Sequence, residues 1–280
     1  MTNAGHQEVT PAVRGEPLPR VPADASLRPI TPEVVNAEQP PAMTDVAAIR
    51  SEFDRLASIE ALETFGHSEV YFPWLARQLP RQVARLAEVG CGGGSLTARL
   101  APIANDVLAI DLSPAMLEVA RARCARWDHV SFRQGDANTW EPEPGSLDAI
   151  VSVATLHHLD AAIVLPRWAA ALRPGGTLLV LDVLARRGLM NLPVNALAFV
   201  YGRWLRWRRT GRLREDPRVS AAWEAHARFD RLQTLGEARQ TVGFVLPGAR
   251  VRHHLLWRYS IRYQAPAAIE STPSSGTMNR

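Results

Sequence analysis

Five short apolar runs, with segments of helical character between them, restrict what this chain can fold into more than any other feature. The runs cover residues 84–89, 106–110, 130–134, 147–153 and 177–181. Between them lie helix-like stretches at 95–101 and 114–127, the latter with Pro114 in its first turn. The tail of another helix lies at 166–172 and is stopped by Pro174, Gly175 and Gly176. Strands alternating with helices at this spacing predict an α/β domain, a doubly wound parallel sheet with helices on both faces.

The rest of the chain fits around that unit. Val46, Ile49, Phe53 and Leu56 recur at helical spacing, and a second helix is expected over 69–78, ending before Pro80. Residues 1–44 carry frequent prolines and no apolar periodicity, so they bury too little to offset their ordering entropy and are expected to be a disordered tail. Residues 266–280 read the same way, which leaves 45–265 as the folded domain. Beyond Asp182 the alternation stops. A helix-like stretch at 190–214 mixes Leu197, Phe199, Tyr201, Trp204 and Trp207 with Arg203, Arg206, Arg208 and Arg209, and further helices are expected over 221–231 and 234–241. Two adjacent strands at 250–256 and 257–263 have so little chain between them that they predict a close antiparallel pair finishing the sheet.

The first strand ends in Glu88 and runs into Gly90, Cys91, Gly92, Gly93 and Gly94 before a helix. Glycines there permit a tight turn and let a ligand approach main-chain N–H groups at a helix start. A dinucleotide fingerprint, G-x-G-x-x-G, needs a third glycine where Ser95 stands, so the nicotinamide pattern fails. The pattern is instead acidic-x-G-x-G-x-G. Asp111, 23 residues after Glu88, ends the second strand, where a carboxylate can accept from both hydroxyls of a ribose. Asp136, in Gly135-Asp136-Ala137, follows the third strand and could face an adenine amino group. Three such features in order on successive strand ends predict an adenosine ligand.

With these residues in place the sequence resembles the class I S-adenosylmethionine-dependent methyltransferases, particularly the small-molecule branch related to quinone and natural-product enzymes. The resemblance runs from about Phe53 to Tyr263. It rests on Phe53-Asp54-Arg55-Leu56-Ala57, the glycine loop, Asp111-Leu112-Ser113-Pro114, Gly135-Asp136-Ala137, Leu156-His157-His158-Leu159 and Leu172-Arg173-Pro174-Gly175-Gly176. It implies a Rossmann-like sheet of seven strands with the last antiparallel, and a helical substrate lid over 190–230. It also implies that Glu88, Cys91 and glycines Gly90, Gly92 and Gly94 hold the methionine moiety of S-adenosylmethionine, with Val153 contacting it through its backbone. Asp111 would hold the ribose, and Leu112, Asp136 and Ala137 the adenine. Phe53 departs from the family, where tyrosine is frequent, and any hydroxyl contact there is lost.

Methyl transfer from a sulfonium is chiefly an alignment problem, but an oxygen acceptor also needs a base. The ends of the fourth and fifth strands border the reactive methyl in this fold, and they offer His157, His158 and Asp182. These are the expected catalytic residues of a small-molecule O-methyltransferase; carbon methylation of a quinone-like ring and a non-catalytic cofactor-binding scaffold remain alternatives. Several acceptors are disfavoured. Ala154-Thr155-Leu156-His157 replaces the Asn/Asp-Pro-Pro-aromatic motif of amino methyltransferases, and neither Cys91 nor Cys124 follows a proline as cytosine-C5 enzymes require. The chain has no lysine, which excludes a lysine-containing ribose-methylating tetrad. Asp182 is followed by Val183 and not by asparagine, so a metal-dependent catechol site is not expected and no metal is assigned.

The acceptor is therefore expected to be a small, partly apolar metabolite, with Tyr201 and Trp204 as lid residues. The basic character is all arginine, net +4. In the 190–214 stretch it could meet an anionic substituent or an anionic membrane surface. No nucleic-acid module accompanies it. No apolar run approaches the roughly 20 residues of a membrane span, no secretory signal is visible, and two isolated cysteines suit a reduced cytoplasm.

Overall fold

The computed structural model describes residues 46–59, 66–185 and 192–267, with side chains described from 196 in the last stretch. The expected tail at 1–44, most of that at 266–280 and the first residues of the expected lid lie outside these. Seven strands form one sheet in the order β3-β2-β1-β4-β5-β7-β6. They are β1 (Val83–Val89), β2 (Ala104–Asp111), β3 (Val130–Gln134), β4 (Leu147–Val153), β5 (Leu172–Val183), β6 (Arg250–His254) and β7 (Arg258–Gln264). The first five pair in parallel and β7 pairs antiparallel with both β5 and β6. The doubly wound sheet with an antiparallel final strand is thus present as expected.

Alternation along β5 explains why both faces must be covered. Leu178 and Val180 pack with Trp168, Val164 and Ile261 on one side, whereas Leu179 and Leu181 pack with Leu75, Leu86 and Leu100 on the other. All are fully buried. Burying each such side chain contributes roughly 1.5–3 kcal/mol, so a polar residue at any of them would leave a layer of the sheet unsupported.

Apart from the short α2 (Phe72–Gln78) and α3 (Thr97–Leu100), which lack a side-chain cap, helices start where their caps place them. In α4 (Pro114–Cys124) the Ser113 hydroxyl accepts from the Met116 N–H, and Pro114 occupies the first turn. Ser113 also donates to Asp54 of α1 (Val46–Ala57), which fastens that helix beside the second strand end. In α8 (Leu235–Val245) Thr234 and Glu237 form a reciprocal capping box.

Two boundaries differ from the sequence expectation. The helix expected to end at Pro174 is α5 (Ala161–Ala170), capped by Asp160 and carrying Pro166 inside it. Pro174, Gly175 and Gly176 belong to the start of β5, where the register against β4 jumps from Leu147↔Leu172 to Ala149↔Thr177. They form a bulge within the strand and do not stop a helix. The helix expected over 221–231 is α7 (Pro217–His226), because Asp216 caps it and Pro217 opens it. A short 3-10 turn over Ala227–Phe229 follows, and Asp230 leaves in extended conformation.

Candidate active site

The loop after β1 is built by three left-handed glycines. Gly90, Gly92 and Gly94 have φ of 75°, 50° and 77°. At Gly90 a Cβ would lie 2.0 Å from the Thr155 Oγ1, and at Gly94 one would lie 2.9 Å from the Ala120 Cβ, so neighbouring elements already occupy the space a side chain would need. A Cβ at Gly92 would meet nothing within 4 Å. The loop is therefore closed on the protein side at Gly90 and Gly94 and open to a ligand at Gly92.

Both carboxylates expected to serve this loop are buried beside it. Glu88, at 2% exposure, accepts from the Thr97 hydroxyl at 2.7 Å. Burial with no counter-charge pushes its pKa up to about 8, opposed by the Thr97 hydrogen bond and reinforced by Asp111. Asp111 accepts from the Gly92 N–H at 2.7 Å and from the Ser113 N–H at 2.9 Å, so it braces the glycine turn directly. Burial raises its pKa and these backbone donors counter it. Asp136 accepts from the Asn138 N–H at 2.8 Å in a turn after β3, and Ala137 beside it is buried. Cys91 is buried, while Leu112 and Val153 are partly exposed at the ends of β2 and β4. The C-terminal edge of a parallel sheet, with an open glycine and buried strand-end carboxylates, suits an adenosine ligand with a cationic group.

The segment after β4 links this loop to the histidines. Ala154 has φ 52°, a strained value for a residue with a side chain, and Thr155 folds over Gly90. One turn on, Nδ1 of His157 lies 2.6 Å from Asp182 Oδ1 on β5. The β4–β5 register, Val153 opposite Leu181, brings these two strand ends together. Asp182 is fully buried and the side chains of His157 and His158 are 7% and 6% exposed.

Two residues absent from the sequence expectation complete the cluster. Asp230 Oδ1 stands 3.5, 3.9 and 3.6 Å from the Nε2 atoms of His157, His158 and His226. These distances are too long for well-formed hydrogen bonds. Phe53 packs edge-on against His158, with centroids 5.6 Å apart, and lies 4.8 Å from His226, so it closes the cluster's apolar side. Ligand atoms of His157, His158 and Asp230 all fall within 4.8 Å of one another, a spread that a divalent cation could span.

The electrostatics separate the histidines. Burial would push His157 down, but Asp182 and Asp230 outweigh it and raise it to about 9. His158 is pushed down to about 3 by burial and by the neighbouring His157 and His226 charges, with Asp230 and the Phe229 carbonyl opposing. Burial also lowers His226. Asp230 resists burial because the histidines around it hold its pKa below the usual carboxylate value. One cationic imidazole between two carboxylates thus stands beside a neutral one. His157 also lines a cleft of about 300 Å³ with Leu156, Asp160, Arg231, Gln233 and Tyr259.

Tyr201 and Trp204 are not part of this constellation. They stack on each other on α6 (Leu192–Thr210), with centroids 5.8 Å apart and exposures of 37% and 41%. The segment reaches the histidines through His226 and Asp230 instead. The expected helix over 221–231 hid both residues, although Asp216-Pro217 signalled an earlier start.

A methyltransferase domain family model matches residues 86–176, which span the glycine loop, the His157 turn and the Pro174 bulge. An uncharacterised methyltransferase of Mycobacterium tuberculosis is 34% identical over 206 residues, covering 70% of this chain and 94% of that protein. A ubiquinone biosynthesis O-methyltransferase of Xanthomonas campestris is 35% identical over 112 residues, covering 39% of this chain and 47% of that protein. Among solved structures, the DhpI–SAH complex has a TM-score of 0.55 at 20% identity, covering 79% of this chain and 97% of that chain. Sheet order, glycine loop and relatives agree: the chain belongs to the class I S-adenosylmethionine-dependent methyltransferases and takes S-adenosylmethionine as its cofactor.

Proposed function

We propose that the chain methylates an oxygen of a small, partly apolar metabolite, with the His157–Asp182 pair as proton acceptor. The 2.6 Å contact between Nδ1 of His157 and Asp182 carries this reading. It fixes the tautomer and orientation of the ring and turns Nε2 toward Asp230. S-adenosylmethionine supplies a methyl on a sulfonium, and the new O–C bond forms as the S–C bond breaks. The acceptor proton passes to His157 Nε2, whose charge Asp182 and Asp230 stabilise. His158 stays neutral beside it and positions the pair.

Glu88 and the open face at Gly92 would hold the methionine end of the cofactor, with Cys91, Gly90, Gly94 and Val153 forming the wall. Asp111 would hold the ribose, and Leu112, Asp136 and Ala137 the adenine. The 190–230 segment acts as the substrate lid, for which the reach of His226 and Asp230 into the cluster speaks. A relative named for O-methylation in ubiquinone biosynthesis supports an oxygen acceptor of natural-product type, although the chain spans less than half of that protein. Two free, buried cysteines fit a reducing compartment, the cytoplasm.

Transfer of a labelled methyl from S-adenosylmethionine to a panel of phenols, carboxylates and quinols tests the activity. His157→Asn is expected to abolish transfer to oxygen while cofactor binding stays intact. Unchanged turnover in that variant would sink the base assignment and favour carbon methylation of a quinone-like ring. Absence of transfer to any acceptor, with cofactor bound, would favour a scaffold. The same assay after chelation tests the 4.8 Å cluster, since loss of turnover there would replace the base with a metal ion.

A further inference from the structure

Helix α6 is turned inside out. Its buried positions are small: Ala198 is 1% exposed, and a Cβ at Gly202 would meet His67 at 3.2 Å and Leu256 at 3.3 Å, so glycine permits close packing there. Most of its described large apolar side chains face outward. Leu197, Val200, Trp204 and Trp207 are 59%, 65%, 41% and 52% exposed and recur at spacings of three and four residues, which makes one continuous stripe. Phe199, 57% exposed, widens it. An amphipathic helix of a soluble domain has the opposite polarity, because outward apolar groups gain nothing from folding.

The charges that α6 itself carries are of one sign. Arg206 pairs with Glu215 and Arg209 with Glu69. Arg203 and Arg208 face no carboxylate among the described residues; they lie 5.6 Å over Phe199 and 5.5 Å over Trp204, within the stripe itself. No helix among the described residues is long and apolar enough to cross a membrane.

We infer that this outward face of α6 docks on an anionic lipid bilayer surface. A stripe of aliphatic and tryptophan side chains flanked by Arg203 and Arg208 enters the headgroup boundary without needing a matching groove. Tryptophan, with an apolar body and a polar N–H, favours that depth, and each arginine meets lipid phosphate. A second copy of the chain fits poorly, because a two-fold contact through the same face would gather Arg203 and Arg208 of both copies into one interface. The inference is independent of the acceptor chemistry.

Co-sedimentation of the full chain with vesicles of phosphatidylglycerol and phosphatidylcholine, against phosphatidylcholine alone, tests it. The expected result is binding to the anionic vesicles with a blue shift of tryptophan emission, weakened in high salt. Val200→Glu with Trp207→Glu should reduce binding at least tenfold, while S-adenosylhomocysteine binding, read by calorimetry, stays unchanged. Arg203→Gln with Arg208→Gln should cost about fivefold per arginine on anionic vesicles only. No binding at millimolar anionic lipid overturns the inference. So does equal binding by the double-glutamate variant, or lipid-independent dimerisation that this variant abolishes.

Discussion

Nδ1 of His157 and Oδ1 of Asp182 meet at 2.6 Å across two adjacent strand ends, although 25 residues separate them in the chain. The pair makes His157 a strong but occupied base. With its pKa raised to about 9, nearly all of it is protonated at pH 7, and only the unprotonated fraction can accept a proton. Turnover with an oxygen acceptor should therefore climb about tenfold per pH unit from 7 and level off above about 9. A flat pH profile from 7 to 10 in single-turnover assays would rule the pair out as the base.

Asp182→Asn keeps the shape of the side chain and removes the charge. Without the carboxylate, burial governs His157 and its pKa falls, so the variant's residual activity should level off at lower pH than the parent's. Its maximal rate should drop by about 10²–10⁴, since the ring loses its orienting acceptor. Asp230→Asn should shift the same inflection less, because Asp230 sits 3.5 Å from the ring and is partly exposed. Comparing the inflections of the three proteins by pH-dependent kcat separates an electrostatic role from a merely structural one.

How much of this was legible in the sequence depended on distance along the chain. Glu88, the glycines and Asp111 could be read because a strand end, a tight turn and the next strand end are local features of fixed spacing. His157 and Asp182 could be nominated because neighbouring parallel strands end together, but their contact follows from the β4–β5 register, which no short pattern encodes. His226 and Asp230 were not legible. Their approach to His157 depends on where α7 stops and how the segment folds back, and a helix drawn over 221–231 would have pointed Asp230 elsewhere. The outward turn of α6 was equally hidden: apolar residues and arginines interleave along it, and the side that meets the core is marked locally by the small residues Ala198 and Gly202.

Thr155 and Gly90 predict a second kind of outcome. Alanine at Gly90 must adopt a left-handed conformation, costing about 1–2 kcal/mol, and must also displace Thr155 from the position its Cβ would take. Gly90→Ala should lower Tm by about 2–8 °C and weaken S-adenosylhomocysteine binding. Adding Thr155→Gly opens the space and should restore part of the stability but not the strain. Equal Tm values for the single and double variants in calorimetric scans would show that the collision is relieved elsewhere.

Glu88 offers a test of the cofactor site that does not require the acceptor. Burial raises its pKa to about 8 from the ordinary value of 4.5, so the folded chain keeps a proton over that window that the unfolded chain has released. For this group alone, stability therefore falls as pH rises from about 4.5 through about 8. A bound ammonium group would favour the carboxylate and expel the proton. At pH 7 S-adenosylhomocysteine binding should release most of one proton, and at pH 9.5 Glu88 should release almost none. Calorimetric titrations in buffers of different ionisation enthalpy measure that number directly. Glu88→Gln removes the titrating group, so its proton release at pH 7 should fall by nearly one while its affinity drops. Identical proton release in the parent and in Glu88→Gln would mean that the cofactor's cation is met by another group.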